Sequence, residues 1–372
     1  MIRTALVGLG KMGLSHAAIM NAHPAIDVVA VCDSFGTLLN GLNKYVGFKT
    51  YRDFSELLRN EALDAVLIAT PSRSHGTMVR QALENNLHVF CEKPFCLDAK
   101  EGHELAEIAE RKHLVNQVGY HYRFLGTFAE ARRLLKANVI GKVQHIRAEA
   151  YGPVVLRPSG LTWRSSQTEG GGCLYDYACH AIDLINFLHE APARVEGSVL
   201  NSIFSADVDD EVYTTFRFPG GASGQLAANW SDESFRKMAM EITLWGDKGR
   251  IRIDRQEIQL FLTDTTGFPE FQRGWNTRYT TELTAPVDYY LRGEEYSRQI
   301  DHFAGCIADR AQPSISSFRT ALETDTVVSM IIQDANKGVA LAGPHKEQAA
   351  PARAQKKKFA ASLRNLVSRP SL

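Results

Sequence analysis

Ile2-Arg3-Thr4-Ala5-Leu6-Val7-Gly8-Leu9-Gly10-Lys11-Met12-Gly13 is a short apolar run that passes without a break into G-x-G-x-x-G. A helical pattern follows from Met12, with Leu14, Ala17, Ala18 and Ile19 available for burial. In a strand–turn–helix of this kind the first glycine makes a tight turn and the second admits a pyrophosphate. The third lets the helix pack closely on the strand. The start of the helix, at Lys11 and Met12, offers unpaired N–H groups and partial positive charge to phosphates. A second apolar run, Val28-Val29-Ala30-Val31-Cys32, ends in Asp33, which lies 20 residues past Gly13. That is the offset at which a carboxylate grips the adenosine ribose hydroxyls. Glycine turns alone are common; this one has the right element on each side and an acid at the next strand end. A carboxylate there accepts from a 2′-hydroxyl and repels a 2′-phosphate, and Ser34-Phe35-Gly36 supplies no arginine. NAD is therefore expected over NADP, unless Arg73 or Lys44 approaches from elsewhere.

Working outward, apolar runs at 2–7, 27–32, 65–69, 87–91 and 114–118 alternate with helical patterns. That alternation predicts a parallel, doubly wound α/β sheet over residues 1–122. Residues 124–137 read as a linking helix and Val143–Tyr151 as a strand. The pattern then changes. Segments near 195–204, 211–218, 223–230, 239–246 and 249–262 alternate or run apolar, separated by glycine-rich turns. They predict an antiparallel open sheet with one face packed and one free, in an α+β domain spanning 123–342. Helical patterns resume near 294–310 and 318–338. Residues 343–372 are rich in Ala, Gln, Lys and Arg and read as a flexible basic tail.

Two further segments carry chemistry. Val89-Phe90-Cys91-Glu92-Lys93-Pro94 runs an apolar strand into a charged pair and a proline. A lysine at a strand's carboxyl end points into the crevice where open α/β sheets bind ligands. There its ammonium donates to a substrate oxygen and favours negative charge on it. Gly170-Gly171-Gly172-Cys173-Leu174-Tyr175-Asp176-Tyr177-Ala178-Cys179-His180 places an acid and an imidazole four apart. On a helix such residues share one face, and histidine moves protons near neutral pH. Taken singly, each is as ordinary as a solvated Glu-Lys pair or a surface helix pair.

Together, and in this order, the glycine turn, Glu92-Lys93-Pro94 and Asp176-x-x-x-His180 resemble the glucose–fructose oxidoreductase/inositol dehydrogenase (Gfo/Idh/MocA) family over roughly residues 1–340. Thr70-Pro71-Ser72-Arg73-Ser74-His75 looks like that family's strand end beside the cofactor. Val118-Gly119-Tyr120-His121-Tyr122-Arg123-Phe124 looks like its handover to the second domain. The resemblance implies NAD held by Gly8, Gly10, Lys11, Met12, Gly13, Asp33, Thr70, Pro71, His75, Glu92 and Lys93. It implies catalysis by Lys93, Asp176 and His180 on a secondary alcohol of a sugar or polyol. Tyr120, Arg123, Trp163 and Arg164 join Asp176 and His180 as candidates for the substrate wall. Asp183 either orients His180 from behind or has no chemical role. His16, His75 and His145 read first as structural, with His75 having some claim through its strand end. The family's second-domain sheet also implies a homo-oligomer, dimer or tetramer, formed through its free face.

Composition bounds the alternatives. Lys plus Arg and Asp plus Glu each number 42 in 372 residues, so no net field attracts nucleic acid or membrane. No run is long enough to span a bilayer, and no secretory pattern opens the chain. The six cysteines show no zinc spacing and read as reduced core residues. A cytoplasmic protein without a metal site is expected. Rival functions are an NAD-dependent glycosidase working by transient oxidation, and a non-enzymatic dinucleotide-binding regulator. The regulator would have no need of Lys93 and His180 together.

Overall fold

Fourteen strands divide between two sheets in the computed structural model, which describes residues 1–35, 39, 47–158 and 162–342. Lys44 and the basic segment 343–372 lie outside the described residues. The first sheet contains β1 (Ile2–Val7), β2 (Ile26–Cys32), β3 (Lys49–Tyr51), β4 (Ala65–Ile68), β5 (His88–Cys91) and β6 (Asn116–Val118). Their order is β3-β2-β1-β4-β5-β6, and every pair is parallel. Helices α1 (Lys11–Ala22), α2 (Phe54–Asn60), α3 (His75–Glu84) and α4 (Ala99–Arg111) cross between strands. The central strands β4 and β5 are buried at every residue, as strands covered on both faces must be. The strand order reverses beside β1, which opens a crevice at the carboxyl ends of β1 and β4.

Edge strand β3 does not emerge from the sequence pattern. Lys49-Thr50-Tyr51 has no apolar face, and Tyr51 Oη and Lys49 Nζ both bond Glu61, at 2.6 and 3.0 Å.

The second half begins with α5 (Gly126–Lys136) and β7 (Val143–Tyr151). A π-helical turn, Leu174–Ala178, leads into α6 (Cys179–Leu188). Strands β8 (Arg194–Asn201), β9 (Glu211–Arg217), β10 (Ser223–Asn229), β11 (Ala239–Gly246), β12 (Gly249–Ile253), β13 (Glu257–Leu262) and β14 (Gly274–Tyr279) follow. Helices α7 (Thr280–Leu283), α8 (Glu294–Ala308) and α9 (Phe318–Ala342) complete the described chain. The sheet order is β14-β13-β12-β11-β7-β10-β9-β8; only β7 and β10 pair in parallel.

Two expectations need correction here. The apolar segment 249–262 is two strands, because Asp254 Oδ1 accepts from Gln256 and Glu257 N–H and forms a turn between them. Residues 274–279, outside the segments expected as strands, form β14, an edge strand whose side chains alternate between half-buried and exposed.

Ile146, Ala148, Phe216, Leu226, Ile242 and Leu244 line the packed face of the second sheet. α6 packs on β7 and is buried along its whole length. The helix bearing His180 is thus a core element. Both sheets belong to one compact unit, Met1–Asn336.

Candidate active site

The glycine turn is built for a close fit on one side and open space on the other. Gly8 has φ +92°, and a Cβ there would press on the Ala69 carbonyl; a Cβ at Gly13 would collide with the Gly8 oxygen. A Cβ at Gly10 would meet nothing within 4 Å. No side chain caps α1, so its first amides remain available to an anion. Asp33 is anchored beside this cradle: its Oδ2 accepts from Leu9 N at 2.6 Å and its Oδ1 from Phe35 N at 2.8 Å. An open cradle, an uncapped helix start and an acceptor carboxylate fit the diphosphate and adenosine ribose of NAD. Lys11 and Met12 lie in the first turn of the helix and retain solvent access.

Across the crevice, Lys93 follows β5 and its peptide with Pro94 is cis. Its Nζ donates to Asp176 Oδ1 at 2.8 Å and to the Asp176 backbone oxygen at 3.0 Å. Arg164 Nε donates to the other carboxylate oxygen at 3.1 Å. Burial disfavours both charges, but they face one another. The Asp176 charge therefore leaves the Lys93 pKa above its usual value, and the two cations leave the Asp176 carboxyl below the usual range.

His180 opens α6 one turn later. The rings of His121, Tyr122 and Tyr120 meet it edge-on, with centroids 5.0, 5.4 and 6.0 Å away. Its Nδ1 has no hydrogen-bond partner among the described residues. Burial, then the Lys93 charge and His121, hold the imidazole well below its ordinary pKa. The ring is therefore neutral at physiological pH, with a lone pair able to take a proton.

The expected plain helix carrying Asp176 and His180 is instead a π turn joined to α6, with Cys179 N bonded to Leu174 O. Such widened turns recur at functional sites. The three glycines form a clamp before it. A Cβ at Gly171 would strike the Arg164 carbonyl, and one at Gly172, where φ is +110°, would strike the Asp209 carboxylate. Gly172 N bonds Arg164 O at 3.2 Å, and Asp209 Oδ2 accepts from Leu174 N at 2.7 Å. Burial raises the Asp209 carboxyl to about 6. Asp209 has no motif around it, and only the crowding of the glycines it abuts betrays its place.

Several candidate residues occupy other positions than expected. Arg123 is not part of a substrate wall. It forms a buried fork with Asp183 (Nε–Oδ2 2.9 Å, Nη2–Oδ1 2.5 Å) and donates to Ile315 O and Thr320 Oγ1. The same pair takes Asp183 away from His180. Tyr120 is wholly buried and supports the His180 ring from inside the protein.

His75 is buried, with Nδ1 2.8 Å from Pro94 O and Nε2 2.9 Å from Thr70 O. It braces two strand-end turns and does not offer itself to a cofactor; burial lowers its pKa. Glu92 is covered as well: its Oε1 meets His16 Nε2 at 2.6 Å. Thr70 and Pro71 remain at the crevice edge with solvent access. Trp163 and Arg164 lie at the mouth, the guanidinium 4.6 Å from the indole centroid. Arg73 is engaged by Glu169 at 3.1 Å, and His145 bonds Ser223 Oγ on the second sheet.

The family profile described as "Oxidoreductase family, NAD-binding Rossmann fold" matches residues 2–120. The profile described as "GFO/IDH/MocA C-terminal domain" matches residues 128–252. The chain belongs to the Gfo/Idh/MocA family. Its first sheet is that family's NAD-binding domain, and the protein is an NAD-dependent oxidoreductase.

Among Gfo/Idh/MocA relatives, scyllo-inositol 2-dehydrogenase (NAD(+)) of Bacillus subtilis (strain 168) is 26% identical over 342 residues, 88% of this chain and 92% of the relative. The 2,7-anhydro-N-acetylneuraminate hydratase of Escherichia coli (strain K12) is 28% identical over 264 residues, 69% of this chain and 68% of the relative. Levoglucosan dehydrogenase, solved in complex with NADH and levoglucosan, shares the fold with a TM-score of 0.79. It is 24% identical, with 91% of this chain and 98% of that chain covered.

Proposed function

We propose that this oxidoreductase moves a hydride between a secondary alcohol of a sugar, polyol or sugar derivative and the nicotinamide of NAD. The observation that carries the reading is the convergence of Lys93 and Asp176 at 2.8 Å, with neutral His180 one turn beyond. Bound NAD⁺ supplies the hydride acceptor. The protein supplies the rest. The α1 start and the Gly10 cradle receive the pyrophosphate, and Asp33 receives the adenosine ribose. His180 accepts the hydroxyl proton as general base. Lys93 has three N–H groups; two are given to Asp176, and the third donates to the substrate oxygen as it gains alkoxide character. Asp176 holds that ammonium in place and accepts from a neighbouring hydroxyl. Trp163 offers an apolar ring to the C–H face of a sugar.

The activity of the B. subtilis relative, on an inositol, supports a polyol or sugar ligand. The hydratase relative is the reason to measure net redox change and not cofactor binding alone. A regulator that only bound dinucleotide would have no use for the Lys93–Asp176–His180 grouping, and no relative named above is a glycosidase.

In this reading residues 1–122 hold NAD and 123–342 hold substrate. The outer face of the second sheet carries Tyr151, Trp245, Phe261 and Trp275, with Arg147 and Arg250 against the indoles. Aromatic and arginine side chains are those that interfaces favour, and two or four copies would meet there. Six free, buried cysteines suit a reducing cytoplasm.

The test is a screen of inositols, sugars, anhydrosugars and sugar acids for NADH absorbance at 340 nm (roughly the reduced-nicotinamide band). A substrate that yields stoichiometric NADH supports the dehydrogenase. Conversion of a sugar with no net NADH would replace it with an internally recycled reaction.

A further inference from the structure

His16 sits on the inner face of α1, less than one turn beyond Gly13. The imidazole is fully buried and packs edge-on against Phe90 of β5, with centroids 5.4 Å apart. Its Nε2 lies 2.6 Å from Glu92 Oε1, while its Nδ1 has no partner among the described residues. The second Glu92 oxygen accepts from the Lys93 backbone N–H at 3.2 Å. Just past β6, Gly119 makes room for this carboxylate; a Cβ there would come within 3.0 Å of it. Glu92 is thus held by an imidazole from the cofactor helix, by the backbone of the lysine, and by the wall at Gly119.

We propose that His16 is a positioning residue. By holding Glu92 Oε1 it keeps that carboxylate off the Lys93 ammonium, and it ties the helix that receives the pyrophosphate to the strand end that carries the ammonium. A buried carboxylate without a donor turns to the nearest cation, because an unpaired charge in the interior is costly. For Glu92 that cation is Lys93, whose charge already acts on it. Released from His16, Glu92 competes with Asp176 for the ammonium and draws it from the substrate oxygen. This matters to the reaction only if the dehydrogenase reading holds; the stability measurement below does not depend on that reading.

Two variants separate positioning from filling. In H16Q an amide N–H reaches the place of the imidazole Nε2–H; H16L fills similar volume with no donor. The cofactor-free full chain is melted from pH 5 to pH 8. In the wild type, burial raises the Glu92 carboxyl, but the His16 bond and nearby positive charges outweigh it and leave the pKa below 4.5. In H16L that bond is lost and the Lys93 and His121 side of the pocket is what remains to offset burial, so the Glu92 carboxyl lies higher than in H16Q and its ionisation stabilises H16L less as pH rises. The Tm gap between H16Q and H16L should therefore widen towards pH 8 and become flat with pH when Glu92→Gln is added to both. With substrate, H16L should lose kcat about tenfold or more with NADH affinity little changed, while H16Q retains most activity. A pH-independent gap, or H16Q behaving as H16L, would overturn the proposal. If H16L does not fold, H16N, whose amide is too short, takes its place. If the wild type oxidises no alcohol, the dehydrogenase reading fails, and the melting curves still decide what His16 does to Glu92.

Discussion

Lys93 and Asp176, 83 positions apart in sequence, meet twice: the ammonium bonds both the carboxylate of Asp176 and its backbone oxygen. The second contact fixes main chain as well as charge. The π turn that carries Asp176 continues directly into α6, so the position of His180 is referred to Lys93 through a few backbone units. A strand end of one sheet and a helix of the other thereby share one reference point.

Asp176→Asn tests how much of this is charge. The substitution keeps shape and the backbone contact but leaves the ammonium with a neutral partner. We expect kcat/KM to fall about 100-fold, as for loss of one preorganised electrostatic group. NADH affinity, read by fluorescence titration, should change less than about twofold, since the cofactor cradle is untouched. Breaking a buried pair should also lower stability by up to about 3 kcal/mol, measured by denaturant unfolding. An unchanged kcat/KM would remove Asp176 from the reaction.

The pH profile follows from His180. Burial first, then the Lys93 charge, depresses its pKa, so the ring is already neutral where an ordinary imidazole would be half protonated. Lys93, raised, and Asp176, lowered, likewise keep their charges through the neutral range. Initial alcohol-oxidation rates should be nearly level between about pH 6 and 9, with the acid limb below the ordinary histidine range. In Lys93→Met the second cause disappears while burial stays. NMR titration of His180 should then show its pKa moved up, though still below 6.5. A wild-type acid limb at the ordinary histidine value would contradict the burial of that ring in the working enzyme.

What could be read from sequence is what local spacing encodes. The glycine turn, the lysine after β5 and the Asp176–His180 pair are each contained in a dozen residues, and so were legible. Arg123 and Tyr120 were misplaced because residue type does not reveal burial. An arginine looks solvent-facing until its carboxylate, 60 positions on, is known. The contacts of His16 with Glu92 and of Asp209 with Leu174 are hidden for the same reason; His16 lies 76 positions from Glu92. Strands β3 and β14 lack an apolar inward face: in β14 the half-buried positions are Gly274, Asn276 and Arg278, while Trp275 and Tyr279 are exposed. The break at Asp254 is made by carboxylate-to-backbone bonds, which hydrophobic periodicity does not register.

Arg123 gives the sharpest test of that correction. Both members of its pair with Asp183 are nearly inaccessible, at 3% and 1% side-chain exposure. Removing one leaves an uncompensated buried charge. Arg123→Met should cost about 3–5 kcal/mol of stability with KM unaffected in the fraction that folds. Arg123→Lys should not restore it, since an ammonium cannot make the two-pronged contact. A raised KM with an unaltered melting temperature would return Arg123 to the substrate wall.

The proposed discrimination between cofactors by Asp33 rests on a balance that one substitution can disturb. Each carboxylate oxygen accepts one backbone N–H, from Leu9 and from Phe35, and keeps a second lone pair for a ribose hydroxyl. The negative charge repels a 2′-phosphate, and Arg73, in the turn beyond β4, is held by Glu169. Asp33→Ser removes the repulsion and at least one charge-assisted acceptor. Loss of one such bond is worth about 1.5–3 kcal/mol, so the KM for NAD⁺ should rise roughly 10- to 100-fold. NADP⁺ should improve only modestly, because the substitution removes a repulsion without adding a cation for its phosphate. The ratio of kcat/KM values for NAD⁺ and NADP⁺, measured on one alcohol substrate, should fall by at least about tenfold. A ratio left where it was would mean that the adenosine ribose is held by another group.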